Sequence, residues 1–181
     1  MTKIKPTDYW RTPQELFQNL NDEFDFVADM AASEENRLVP LHYNEDDDSL
    51  SFDWAEEINK YFPGVRNWVW CNPPYSNPKP WVEKTLEAQA NGLGVVMLLN
   101  ADTSTEWFFK ALAGVSEIRN IIGHKQGGSW KNGRVQFGQS EKLRASSNNK
   151  AQTILVFDPF KIGANVTTYV SKAKLMAKKS R

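Results

Sequence analysis

Trp68-Val69-Trp70-Cys71-Asn72-Pro73-Pro74-Tyr75 decides the reading of this chain. Its first four residues form a β-rich apolar run, and Asn72-Pro73-Pro74 stops it, because proline has no N–H to give to a ladder. Other strands flank it. Phe26–Asp29 reads as a short strand ending in a carboxylate, and Leu38–Tyr43 as a possible second one. Val95–Leu99 is a continuous apolar run, the mark of a strand buried on both faces. Ile118–Ile122 and Gln152–Phe157 follow, the latter as the last strand. Helices fall between them. Thr12-Pro13-Gln14-Glu15 forms a capping box with proline in the first turn, ahead of Leu16, Phe17, Leu20 and Phe24 at helical spacing. Pro80–Ala90 reads as a helix stopped by Gly92, and Thr103–Glu106 as a second box opening a helix through Leu112. Gly127–Lys150 reads as loop, apart from Arg134–Phe137. Strands alternating with helices predict a mostly parallel α/β sheet in one domain, residues 1–181. Ligands of such sheets bind beyond the carboxyl ends of the strands, where Asn72 stands.

Composition is ordinary for a globular domain, with 40% hydrophobic and 24% charged residues, but seven tryptophans are many. A single cysteine, Cys71, allows no internal disulfide and suits a reducing cytoplasm. Cysteine spacing and the two histidines, His42 and His124, give no zinc pattern, so no metal is expected. No apolar stretch suits a signal peptide or a membrane span. The net charge of zero hides an asymmetry. Residues 1–60 hold five basic against fifteen acidic side chains, a net of −10, and residues 61–181 hold seventeen against seven, a net of +10. Basic residues gather at 123–150 and in the terminal stretch 160–181, which reads as a basic tail. A polyanion would be drawn to the second part.

The residue types at 72–75 suit one kind of chemistry. An exocyclic amine on a nucleobase is a poor nucleophile, because its lone pair is delocalised into the ring. Two acceptors aimed at its N–H bonds pull it towards tetrahedral geometry. The Asn72 side-chain oxygen and the Pro73 carbonyl can be those acceptors, Pro74 restricting the backbone between them. Tyr75 can stack on the base. The bland alternative is a tight Asn-Pro-Pro turn after a strand. Cys71 reads as a small buried hydrophobe.

The wider pattern resembles the phage-type, Dam-like DNA N6-adenine methyltransferases over residues 8–158. The matching pieces run in order: Asp8–Pro13; Phe26–Ala32 with Asn36; Asp48-Ser49-Leu50 with Trp54; Trp70–Ser76; Trp81; Val95–Leu99; and Gly133–Phe137. The resemblance implies a Rossmann-like fold dependent on S-adenosylmethionine, a mainly parallel sheet with a final antiparallel strand, and methyl transfer to adenine N6 in double-stranded DNA. It implies catalytic roles for Asn72, Pro73, Pro74 and Tyr75. Trp10, Thr12 and Pro13 match the motif lining the methionine end of the cofactor, and Asp29 the acidic residue beside it. Asp48 is suited to the adenine amino group or ribose of the cofactor, although Asp46 and Asp47 adjoin it. One departure is the turn Asp29–Ser33, which lacks the glycines many relatives carry. Lys125, Trp130, Lys131, Arg134, Lys142 and Arg144 are the expected DNA contacts, with Trp130 as a wedge. A phage origin would place the protein in the cytoplasm of a bacterial host. Three alternatives stay open: a methyltransferase of the same fold acting on protein glutamine or RNA bases, one acting on cytosine N4, and a non-catalytic nucleic-acid-binding module.

Overall fold

The computed structural model describes residues 10–44, 46–64, 66–138 and 148–178. Its strands are β1 (Phe26–Asp29), β2 (Trp68–Cys71), β3 (Gly94–Asn100), β4 (Glu117–Ile122), β5 (His124–Gln126), β6 (Ser129–Lys131), β7 (Gln152–Phe157) and β8 (Val166–Ser171). Its helices are α1 (Gln14–Phe24), α2 (Trp54–Tyr61), α3 (Lys79–Ala90), α4 (Glu106–Ala111) and α5 (Lys172–Leu175). Six strands form one sheet in the order β1-β2-β3-β7-β4-β8, and β5 and β6 form a separate hairpin. β1, β2 and β3 pair in parallel, as do β4 and β8, while β7 runs antiparallel to both β3 and β4. The α/β class is as expected, but the antiparallel strand is interior, and a further parallel strand follows it. Reading Gln152–Phe157 as the last strand overlooked β8, which lies in a stretch whose lysines suggest only a solvated tail.

Alternation along the strands divides the core. Val95, Met97 and Leu99 of β3 point to one face, where they meet Trp54 and Ile58 of α2, Val82 and Ala88 of α3, and Trp107 and Phe108 of α4. Val96 and Leu98 point to the other, with Leu16, Phe17 and Leu20 of α1, Leu175 of α5, and Val135 and Phe137. Each fully buried side chain of this size contributes roughly 1.5–3 kcal/mol. The two faces together explain the unbroken apolar run of β3.

Several local expectations are corrected. α1 begins after Pro13 with no side-chain cap, so Thr12 is buried but does not cap. Leu38–Tyr43 forms no strand, and only an isolated bridge joins His42 to Asp29. Within the stretch read as loop, Ser129–Lys131 pairs with His124–Gln126 in a hairpin whose Gly127-Gly128 turn takes φ of +55° and +78°, values that glycine reaches without a Cβ penalty. Arg134–Phe137 forms no strand and is held instead through side chains: the Val135 N–H donates to Gln152 Oε1 at 2.9 Å, and Asn148 Nδ2 donates to the Val135 carbonyl at 3.0 Å.

Candidate active site

Because every strand of the sheet except β7 points the same way, Asp29, Asn72 and Asn100 lie at one common edge, and Gln152 joins them opposite Asn100. Asn72 follows β2 directly. Its Nδ2 donates to the Trp10 carbonyl at 3.2 Å, across 62 residues of sequence. That bond orients the amide. Its other end, Oδ1, is buried without a hydrogen-bond partner among the described residues, as are the Tyr75 hydroxyl and Trp10 Nε1. Buried polar atoms are nearly always paired, so three orphans in one cluster need an explanation.

An aromatic group encloses them. Trp10 stacks on Phe137 with centroids 4.7 Å apart and planes 12° apart, and Tyr75 meets Trp10 edge-on at 5.5 Å and Phe137 at 5.7 Å. Burial holds the Tyr75 phenol well above its ordinary titration range, so it is protonated. Trp10 is fixed from outside as well: neighbouring Arg11 and Gly138 exchange backbone hydrogen bonds at 2.9 and 3.0 Å. Phe137 thus belongs to the site beside Trp10 and Tyr75. The sequence carried it only as the end of a matching stretch, and its burial partner lies 127 positions upstream in the chain.

Asp29 ends β1, next to β2. Burial pushes its carboxyl up to about 7, against the opposing pull of N–H groups from Ala31 and Leu38 and of His42. Those N–H contacts are long, 3.3 and 3.4 Å, so the carboxylate is poorly compensated. A cleft of about 300 Å³ lined by Arg37, Leu38, Val39 and Pro40 borders it through Leu38. A cleft of similar volume, lined by Asp53, Asn59, Asn67 and Asn91 among others, adjoins residues that precede β2 and β3, away from Asn72. Asp48 is exposed in the turn before α2 at φ +44°, its carbonyl accepting from the Ser51 N–H, and it shares no contact with the Asn72 cluster among the described residues. Cys71 is wholly buried on the opposite face of the sheet from Trp70, and burial raises its thiol well above the usual value. A protonated, enclosed thiol is not a nucleophile.

The basic candidates divide. Lys125 and Trp130 face each other in the hairpin, and Lys131 pairs with His124. Trp130 is 67% exposed, though its ring lies against Gly123. Lys125, Lys131 and Arg134 form no ion pair among the described residues, whereas Arg119 is clamped between Glu23 and Glu117. The hairpin follows β4 by one residue, so it stands at the same edge of the sheet as Asn72. Lys142 and Arg144 lie outside the described residues.

A mixed α/β sheet with this cluster at its strand ends is consistent with a methyltransferase. Comparison with known proteins goes further. The whole chain, residues 1–181, matches the family model described as DNA N-6-adenine-methyltransferase (Dam). A DNA N-6-adenine-methyltransferase of Escherichia phage T1 is 32% identical over 166 residues, covering 86% of this chain and 65% of that protein. A protein of the same description from Haemophilus phage HP1 is 32% identical over 182 residues, covering 98% and 94%. The putative methyltransferase YfdM of Escherichia coli (strain K12) is 32% identical over 75 residues, 41% of this chain. The chain therefore spans just under two thirds of the phage T1 relative and nearly all of the phage HP1 one. It belongs to the DNA N-6-adenine-methyltransferase (Dam) family.

Proposed function

We propose that this chain methylates the exocyclic N6 of adenine in DNA, with Asn72, Pro73, Pro74 and Tyr75 as its reaction centre in a Rossmann-like methyltransferase fold. The observation that carries the reading is the buried, unpartnered Asn72 Oδ1, aimed by the bond from Nδ2 to Trp10. It accepts one N–H of the adenine amine, and the Pro73 carbonyl accepts the other. The nitrogen lone pair is thereby localised, and positioning supplies most of the catalysis. Tyr75, braced edge-on by Trp10 and Phe137, stacks on the target base after it leaves the duplex, an extrusion that costs a few kcal/mol. The amine's surplus proton leaves to solvent.

The chain has a place for S-adenosylmethionine, which when bound supplies a methyl group on a positively charged sulfur. Asp29 fits that charge, since a buried carboxylate short of donors is stabilised by a cation. Trp10, Thr12 and Pro13, just ahead of α1, are the cofactor's expected further contacts, and the cleft at Arg37–Pro40 gives room beside Asp29. Asp48, exposed and outside the cluster, has the weakest support as a cofactor ligand. Transfer of tritiated methyl groups to DNA, RNA and protein in parallel tests the substrate, followed by base analysis of the labelled polymer. Label in N6-methyladenine of DNA is expected. Label confined to RNA, protein or cytosine would transfer the site to one of those substrates, and no label at all would favour a binding module.

DNA lies along the hairpin and Arg134 in this reading, on basic side chains that no acid neutralises among the described residues. Each phosphate neutralised adds roughly 0.9 to the slope of log affinity against log salt. Lys131→Ala is expected to weaken DNA binding and flatten that slope by about one unit, with cofactor affinity unchanged. Titration at several salt concentrations measures it. A slope equal to wild type would move the DNA path elsewhere, to Lys172, Lys174 and Lys178 first.

A further inference from the structure

We infer that Gln152 and Asn148 are positioning residues for the transfer proposed above. Their side-chain amides replace a missing strand ladder and fix the segment that carries Phe137 against the reaction centre. Both side chains are buried, and a buried amide is costly unless its polar atoms are paired. The Val135 N–H donates to Gln152 Oε1 at 2.9 Å, and Gln152 Nε2 donates to the Lys150 carbonyl at 2.8 Å. Asn148 runs the other way. Its Nδ2 donates to the Val135 carbonyl at 3.0 Å, and its Oδ1 accepts from the Lys150 N–H at 3.0 Å. The backbone groups of Val135 and Lys150 are thus joined through two amides, each accepting from one residue and donating to the other. Neither residue lies in a strand, and the two amides do what a ladder would do. A primary amide offers a donor and an acceptor side by side without charge, whereas a carboxylate lacks the donor and an apolar side chain lacks both.

One end of this bridge is rigid. Gln152 pairs with Asn100 in the β3–β7 register, its Nε2 also reaches Asn100 Oδ1 at 3.3 Å, and the Ala101 N–H donates to the Ala151 carbonyl at 2.9 Å. The other end is the segment 133–138, whose Phe137 ring stacks on Trp10 and meets Tyr75 edge-on. Gly138 is tied to Arg11, next to Trp10, and so moves with the arm it would have to hold. The bond from Lys172 Nζ to the Arg134 carbonyl is exposed. Val135 is therefore the buried hydrogen-bonded tie between this segment and the sheet among the described residues, two positions from Phe137. From there the hold passes through the Trp10 stack, and through the bond from Asn72 Nδ2 to the Trp10 carbonyl, to the direction of Asn72 Oδ1. The amides act on the reacting atoms without touching them.

Gln152→Met keeps the length of the side chain and removes its hydrogen bonds, and Asn148→Ala removes the other half of the bridge. Transfer to DNA is measured at saturating DNA and S-adenosylmethionine, and kcat is normalised to the folded fraction. It is expected to fall roughly tenfold in Gln152→Met and less in Asn148→Ala, within the hundredfold or so that a misplacement of about 1 Å can cost. Side chains that served stability alone would lower the folded fraction and leave the kcat of folded protein at the wild-type value. A double-mutant cycle with Phe137→Leu gives the second readout. Because the amides act through that ring, the two losses in kcat are expected not to multiply. Asn148→Ala carries the test if Gln152→Met does not fold. Asn72→Ala in the same assay separates the bridge from the reaction centre on which its role rests. Full transfer in Asn72→Ala removes the centre and the positioning role with it. Loss in Asn72→Ala beside wild-type kcat in both amide variants overturns the positioning role alone, and so do losses that multiply in the cycle.

Discussion

Asn72→Ala is expected to slow methyl transfer by roughly a hundredfold to a thousandfold, the usual cost of deleting one preorganised hydrogen-bonding group at a reacting centre. The fold should hardly notice, because the side chain's one hydrogen bond among the described residues runs to the Trp10 carbonyl, worth about 1 kcal/mol. Cofactor affinity should also survive, since Asp29 and the cleft beside it are untouched. Steady-state transfer, cofactor titration and thermal melting on the same variant separate the three effects. Full activity in Asn72→Ala would remove the acceptor role assigned to its Oδ1. Tyr75→Ala offers a contrast. It forfeits base stacking, roughly 1–3 kcal/mol, and also leaves a hole between Trp10 and Phe137, so both rate and melting temperature should fall.

The chain tells most plainly where its strands are buried on both sides. Phe26–Asp29, Trp68–Cys71 and Gln152–Phe157 read with correct bounds, and β3 extends the apolar run of Val95–Leu99 by one residue at each end. Elements with little buried surface were mute. α2 hides only Trp54 and Ile58 in a polar stretch, and β8 is an exposed edge rich in threonine. The β5–β6 hairpin buries no residue, and its two-glycine turn holds what apolar alternation does not announce. The interior antiparallel place of β7 has no local signature, because strand order is a property of the assembled sheet. The reaction centre divides in the same way. Asn72-Pro73-Pro74-Tyr75 is contiguous and chemically distinctive, so it could be read directly. What aims it is remote: the Trp10 carbonyl and the Phe137 ring come from more than sixty residues away on either side in sequence. Asp29 was legible as a carboxylate ending a strand, but its raised titration comes from burial that only the packed fold creates.

Gly133 ties these remote parts together, and Gly133→Ala should damage both fold and activity. A Cβ there would lie 2.6 Å from the Ile122 carbonyl carbon, 2.7 Å from the Ile121 oxygen and 2.9 Å from the Gly123 nitrogen. All three are backbone atoms at the end of β4, so no side chain can swing aside. Residues 133–138 must lift instead. They carry Val135 and Phe137, both nearly fully buried, and Gly138, which bridges to Arg11. Lifting them strains the Trp10–Phe137 stack, and through the Trp10 carbonyl the orientation of Asn72. Overpacking of this kind costs roughly 1–3 kcal/mol, which for a chain of this size lowers the melting temperature by roughly 3–10 °C. Methyl transfer should fall with it, by more than the loss of folded protein explains. Gly138→Ala is the control, since its Cβ meets nothing closer than 3.5 Å. If Gly133→Ala melts within a degree of Gly138→Ala and keeps wild-type transfer, the 133–138 segment does not brace the reaction centre, and Asn72 is held by β2 alone.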